Sequence, residues 1–150
     1  MISQPDESES IVREAFMREV PEIAAGVVEI RAIARMPGVR TKVAVASNAG
    51  DVDEVGVCVG YKASRIQRIV SALGGEKIDI IKWADVPEQR IKHAVAPLKV
   101  VTMELNHAEH HARLRVTPFS PFGKPADEVT RELASRLTGW RIDFLEGSDT

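Results

Sequence analysis

The sequence predicts an α+β fold of two tandem α/β-sandwich units, on three observations. Strand-like alternation and helix-like three- and four-residue spacing succeed one another along the chain, a pattern near residue 75 recurs near residue 139, and 150 residues at 44% hydrophobic can fill two small cores without covalent staples. The recurring pattern is Leu73-Gly74-Gly75-Glu76-Lys77-Ile78-Asp79-Ile80 and Leu137-Thr138-Gly139-Trp140-Arg141-Ile142-Asp143-Phe144, at an offset of 64, each copy following an amphipathic stretch. A repeat of this kind marks one structural unit used twice.

In the first copy a helix is expected over about 8–18, strands over about 27–36 and 41–47, a short helix over about 52–59, a helix over about 63–73 and a strand over about 77–83. The order is α-β-β-α-α-β, with one face of the sheet buried under helices. Ser8 or Ser10 starts the first helix, and Pro37-Gly38 turns the first strand into the second. The second copy is expected to carry a helix over about 87–95, strands over about 99–106 and 111–117, a helix over about 126–137 and a strand over about 140–146. Its strands lie at an offset nearer 71 or 72, so residues are lost from its middle, and Pro118, Pro121 and Pro125 make that connection a loop where the first copy has a helix. The expected domain limits are 8–84 and 85–147.

Composition excludes several classes. Cys58 is the single cysteine, so no disulfide forms within the chain, and its place in an apolar run reads as a buried small hydrophobe. No run approaches the ~18 apolar residues of a membrane span, and the first ten residues are too acidic for a signal peptide. A soluble protein of the reducing cytoplasm is expected. A net charge of -2 argues against nonspecific coating of nucleic acid. Basic charge is local instead: Arg31, Arg35, Arg40 and Lys42 fall in residues 31–42, which hold no acidic residue, and Lys62, Arg65 and Arg68 cluster after Gly60.

The most informative segment is Val55-Gly56-Val57-Cys58-Val59-Gly60-Tyr61-Lys62-Ala63-Ser64-Arg65, where an apolar run stops at a glycine and an amphipathic helix resumes with Ile66, Ile69, Val70 and Leu73. Two short helices meeting at such a turn can hold a phosphate. The part Val55-Gly56-Val57-Cys58-Val59-Gly60, with Val20-Pro21-Glu22-Ile23, Pro37-Gly38-Val39-Arg40-Thr41-Lys42-Val43-Ala44-Val45, Gly74-Gly75-Glu76-Lys77-Ile78-Asp79-Ile80 and Leu137-Thr138-Gly139-Trp140-Arg141-Ile142-Asp143, resembles the KH modules of the bacterial transcription factor NusA. The resemblance implies two type II KH-like units, each a three-stranded mixed sheet covered by helices on one face, the first close to the family and the second degenerate.

It also implies single-stranded RNA binding, in which a G-x-x-G loop clamps phosphates beside an apolar groove that reads bases. Here the loop reads Gly60-Tyr61-Lys62-Ala63, with alanine for the second glycine. If position 63 takes helical dihedrals alanine is tolerated; if it needs positive φ, binding weakens. Gly60 lets a ribose-phosphate approach the backbone, the start of the next helix favours an anion, Lys62 adds a mobile cation, and Arg65 and Arg68 follow on that helix. Tyr61 either stacks on a base or is a plain exposed tyrosine. Ser64 belongs to the same RNA-binding set and reads as the N-cap of that helix. Arg40 and Lys42 are candidates for phosphate or base contact, and Val43, Val45, Val59 and Ile66 for the groove, most of them core.

In the second copy Asp127 and Glu128 open the equivalent helix and repel phosphate, leaving Arg113, Arg115 and Lys124 as auxiliary contacts. His107, Glu109, His110 and His111 lie at a hairpin turn and are read as no built metal site; no metal and no cofactor are expected. No catalytic motif is present, so no enzyme is expected. The leading expectation is RNA binding in transcription elongation, termination or antitermination, with RNA polymerase or another transcription factor as further partner and a monomer as the state. The rival is a protein-interaction adaptor whose weakened loop no longer grips RNA.

Overall fold

Residues 7–117 and 125–145 are described by the computed structural model, in which the chain divides into two units, Met1–Trp83 and Ala84–Thr150. The expected proline-rich loop at 118–124 and Lys124 lie outside the described residues.

The first unit opens with α1 (Glu7–Glu19), whose Val12, Ala15 and Phe16 recur at helical spacing and are buried. A four-residue helix, α2 (Pro21–Ala24), follows with its proline at the first turn, where no amide bond is lost. It is too short to leave a periodic signature and was not foreseen. β1 (Val28–Met36) pairs antiparallel with β2 (Arg40–Ser47), and β2 pairs parallel with β3 (Lys77–Lys82), giving the order β1-β2-β3. A parallel pair cannot be closed by a hairpin. The crossover is α3 (Glu54–Val59), a single 3-10 turn at Tyr61–Ala63, and α4 (Ser64–Ala72). One face of the sheet, carrying Val28, Val43 and Val45, packs with Val12, Phe16, Val20, Cys58 and Ile69 into the core.

The β1–β2 turn is the one Pro37-Gly38 predicts: the Val39 amide donates to the Met36 carbonyl at 2.9 Å, and Gly38 has φ 78. The Glu76 carboxylate fixes this turn from outside. It accepts the Gly38 amide at 2.9 Å, the Thr41 hydroxyl, and the Arg35 guanidinium through Nε at 3.0 Å and Nη2 at 3.0 Å. Arg35 also donates to the Ser8 carbonyl at 2.7 Å, so one buried carboxylate joins the hairpin, α1 and the start of β3.

The second unit repeats the plan with α5 (Pro87–Ala94), β4 (Lys99–Asn106), β5 (His111–Thr117), α6 (Pro125–Thr138) and β6 (Arg141–Phe144). β4 and β5 are antiparallel, β5 and β6 parallel, in the order β4-β5-β6, and both β1 and β4 carry one register shift. Arg40 pairs with Lys77 in the first sheet and His111 with Arg141 in the second, displacements of 71 (40 to 111) and 64 (77 to 141). Those are the two offsets read from the sequence. Trp140 is buried, as expected of a core anchor, with Leu114, Leu133 and Ile142. Among the described residues no helix is long and apolar enough to cross a membrane.

Candidate nucleic-acid interface

The turn between α3 and α4 is built from the backbone outward. Asp53 caps α3, its Oδ1 accepting the Gly56 amide at 3.1 Å. The Gly60 amide donates to the Gly56 carbonyl at 2.9 Å and ends the helix. Gly60 itself has φ 78 and ψ 172, a region in which only glycine is at ease. Lys62 (φ 52) and Ala63 (φ 61) are both left-handed, the Ala63 amide reaching back to the Gly60 carbonyl at 3.0 Å, and α4 then begins at Ser64.

Two sequence readings are thereby decided. Position 63 takes positive φ, so the alanine there is strained by roughly 1–2 kcal/mol where glycine would not be. Ser64 is not the N-cap: it is the first helical residue (φ -63, ψ -38), Ala63 holds the cap position, and no side chain caps the helix.

The turn presents its two middle residues to solvent. Tyr61 is 81% exposed, and the Lys62 ammonium, also exposed, lies 5.5 Å from the Tyr61 ring centroid. Behind them lies the positive pole of α4, whose first amide, that of Ser64, donates to the Tyr61 carbonyl. Arg68 is exposed, with Glu19 at 4.0 Å. Arg65 differs. Its Nη1 donates to the Val57 carbonyl at 2.7 Å and to Glu22 at 2.8 Å, and its aliphatic stem occupies the space beside Gly60, where a Cβ would lie 2.7 Å from Arg65 Cγ. The space left by the missing side chain at position 60 is thus filled by Arg65, so the close approach of a ribose-phosphate to bare backbone that the sequence led us to expect at Gly60 is not open on that side.

Arg40 and Lys42 do not join this group. They face Asp79 on β3, Arg40 through Nε at 2.6 Å and Nη2 at 2.8 Å and Lys42 through Nζ at 2.9 Å. The start of β3 lies just past the C-terminus of α4, while the turn precedes its N-terminus, and nine helical residues span about 13 Å. Lys42 is fully buried, so its contact is with Asp79 and not with solvent. Burial pulls the Lys42 ammonium below its ordinary pKa, only partly offset by Asp79. Burial alone would raise the Asp79 carboxyl, but bonds from Arg40 and Lys42 hold it below the usual range, and the Asp79 bond raises Arg40 in turn. The basic stretch at 31–42 is therefore matched in three dimensions: Arg31 pairs with Glu29 at 2.5 Å, Arg35 with Glu76, and Arg40 and Lys42 with Asp79.

Of the groove candidates, Val43 and Val45 are core, whereas Val59 and Ile66 are half-buried beside the turn. Cys58 is buried and its thiol is pushed up to about 12 by that burial, which suits an inert hydrophobe.

In the second unit Arg113 is exposed, 3.9 Å from Glu104, and Arg115 is half-buried. Asp127 and Glu128 do occupy the first turn of α6. The three histidines turn to two partners: His110 stacks on Trp140 at 5.0 Å, His107 meets the same indole edge-on at 5.3 Å, and His111 contacts Asp143 at 2.6 Å. No group of three His, Cys, Asp or Glu able to hold a metal is formed among the described residues. The counter-ions Glu22, Glu76 and Asp79 were missed in the sequence. A signal existed for Asp79, since the repeat places Asp143 at its equivalent and each meets a nitrogen-bearing side chain of the middle strand, Arg40 or His111.

The family described as the NusA-like first KH domain matches residues 6–83. The transcription termination/antitermination protein NusA of Thermus thermophilus is 44% identical over 141 residues, 92% of this chain, and that of Mycobacterium tuberculosis 43% identical over 139, 90% of this chain. The protein of the same name from Bacillus subtilis is 39% identical over 142 residues, 93% of this chain. The chain spans only 36%, 40% and 38% of those relatives' own lengths. The crystal structure of APE1850 superposes with a TM-score of 0.58 at 17% identity, covering 86% of this chain and 96% of that one, a likeness of fold.

Proposed function

This chain belongs to the NusA-like KH family, and on that premise we propose that its first unit binds single-stranded RNA at the turn 60–63 in the control of transcription elongation, termination or antitermination. The observation that carries the reading is the pair Tyr61 and Lys62, held in solvent at the positive end of α4 by a turn with three positive-φ residues. An RNA phosphate would lie against the α4 amides and the Lys62 ammonium, and a base would stack on Tyr61 or on the half-buried Val59 and Ile66. Residues 8–84 form the first KH domain in this reading and 85–147 a second, degenerate one, with binding and not catalysis as the task of both. RNA polymerase is proposed as the further partner because the relatives are named for transcription termination and antitermination.

One observation favours the adaptor reading: Arg35, Arg40, Lys42 and Arg65 all meet carboxylates of the same unit, which leaves little side-chain cation for phosphate. Titration of short single-stranded RNAs at two salt concentrations separates the two. The RNA reading expects affinity that falls with salt and drops about tenfold or more in Lys62→Glu. Absence of binding at low salt transfers the assignment to the adaptor.

A further inference from the structure

We infer that Arg65 is a positioning residue that sets the shape of the turn, and that it does not itself grip phosphate; the inference rests on the RNA-binding reading of the same turn. Three contacts of one side chain carry it. The stem lies against the Cα of Gly60, at 2.7 to 3.0 Å from where a Cβ would be, so the glycine and the arginine fit each other. The guanidinium Nη1 donates at 2.7 Å to the carbonyl of Val57, in the last turn of α3, and at 2.8 Å to the carboxylate of Glu22 on α2. Arg65 therefore ties the first turn of α4 to the end of α3 and to α2, spanning the residues that carry the positive φ angles.

Both bonds leave one nitrogen, Nη1, which lies one bond further along the side chain than a lysine Nζ, so an ammonium at this position falls short of the carbonyl and carboxylate together. Engagement by Glu22 also meets the charge that a phosphate would otherwise seek. Lys62 is then the side-chain cation of the turn itself that faces solvent, while Arg65 keeps Tyr61, Lys62 and the α4 amides in register. The turn thus grips the strand through a small electrostatic contact backed by backbone amides and stacking.

Two readouts on the whole chain test this. The first is the dependence of RNA affinity on salt for the wild type, Arg65→Ala and Lys62→Ala; the second is amide hydrogen exchange without RNA for the wild type, Arg65→Ala and Arg65→Lys, with the β1–β3 amides as the check on folding. Lys62→Ala is expected to flatten the log–log salt slope by about 0.7, the loss of one phosphate contact with single-stranded nucleic acid. Arg65→Ala is expected to weaken binding about tenfold at every salt concentration with the slope unchanged, the scale of one lost charge-assisted bond. Exchange at residues 61–64 is expected to rise about tenfold in Arg65→Ala and also in Arg65→Lys, which keeps the charge but not the reach of Nη1. A slope flattened by Arg65→Ala as much as by Lys62→Ala, or exchange in the turn left at the wild-type rate, overturns the inference. If the wild type binds no RNA at low salt, the RNA reading falls, and exchange alone then decides whether Arg65 holds the turn.

Discussion

At the scale of the residue, the turn is a place where backbone conformation and side-chain identity conflict at Lys62 and Ala63 and agree at Gly60. Gly60 sits where only glycine is at ease and against a side chain that leaves no room for a methyl group. Gly60→Ala is expected to lower stability by about 2–3 kcal/mol in chemical denaturation. Ala63 has the opposite problem, a Cβ in the left-handed region. Relief of its strain exceeds the extra chain entropy that glycine loses, so Ala63→Gly is expected to raise stability by roughly 0.5–1 kcal/mol, seen as a higher Tm. The alanine was legible as a departure from a G-x-x-G pattern. Its φ was not, because the same four letters fit a turn that enters the helix one residue earlier. Tyr61 and Lys62 were legible as turn residues for the reason that makes them functional candidates: neither belongs to an apolar periodicity.

At the scale of the element, carboxylates reached from distant parts of the chain hold the first sheet. Glu76 satisfies Arg35, Gly38 and Thr41, and Asp79 satisfies Arg40 and Lys42. Removing either carboxylate takes the anionic partner from cations that stay buried, so Glu76→Ala and Asp79→Ala are each expected to cost about 3–5 kcal/mol in urea unfolding, with Glu76→Ala also speeding amide exchange at the 36–39 turn. The strands at 99–106 and 111–117 match their expected limits, and most other elements differ from theirs by a residue or two, because apolar periodicity, Pro37-Gly38 and the glycine pairs are local signals. The ion pairs were hidden, since Arg35 and Glu76 stand 41 residues apart and Arg40 and Asp79 stand 39 apart. A basic cluster judged only against its sequence neighbours therefore read as free charge, and two candidate RNA contacts, Arg40 and Lys42, proved to lie at the far end of α4 from the turn.

At the scale of the whole molecule, each unit buries its own core under one shared topology, and each ties its parallel strand to the middle one with an acid: Asp79 to Arg40, Asp143 to His111. Glu76, Asp79, Glu128 and Asp143 all titrate below their ordinary values in the folded chain. A carboxyl depressed by folding contributes stability that is complete above its unfolded pKa, 3.8 for Asp or 4.5 for Glu, and is lost as pH falls through the lower folded value. Thermal stability is thus expected to hold from neutral pH down to about 5 and to fall steeply below 4. Lys42 acts in the other sense: its pKa is lowered by burial, so its cost to stability is relieved as pH rises toward 10.5. The claim on which the account turns is that the surface at 60–65 meets RNA, and at 16.5 kDa the chain is small enough for residue-by-residue NMR titration with a short single-stranded RNA. The account predicts the largest amide shifts at Gly60, Tyr61, Lys62 and the first turn of α4, diminished in Lys62→Glu; shifts confined to the Arg40 end of the sheet or to the second unit would contradict it.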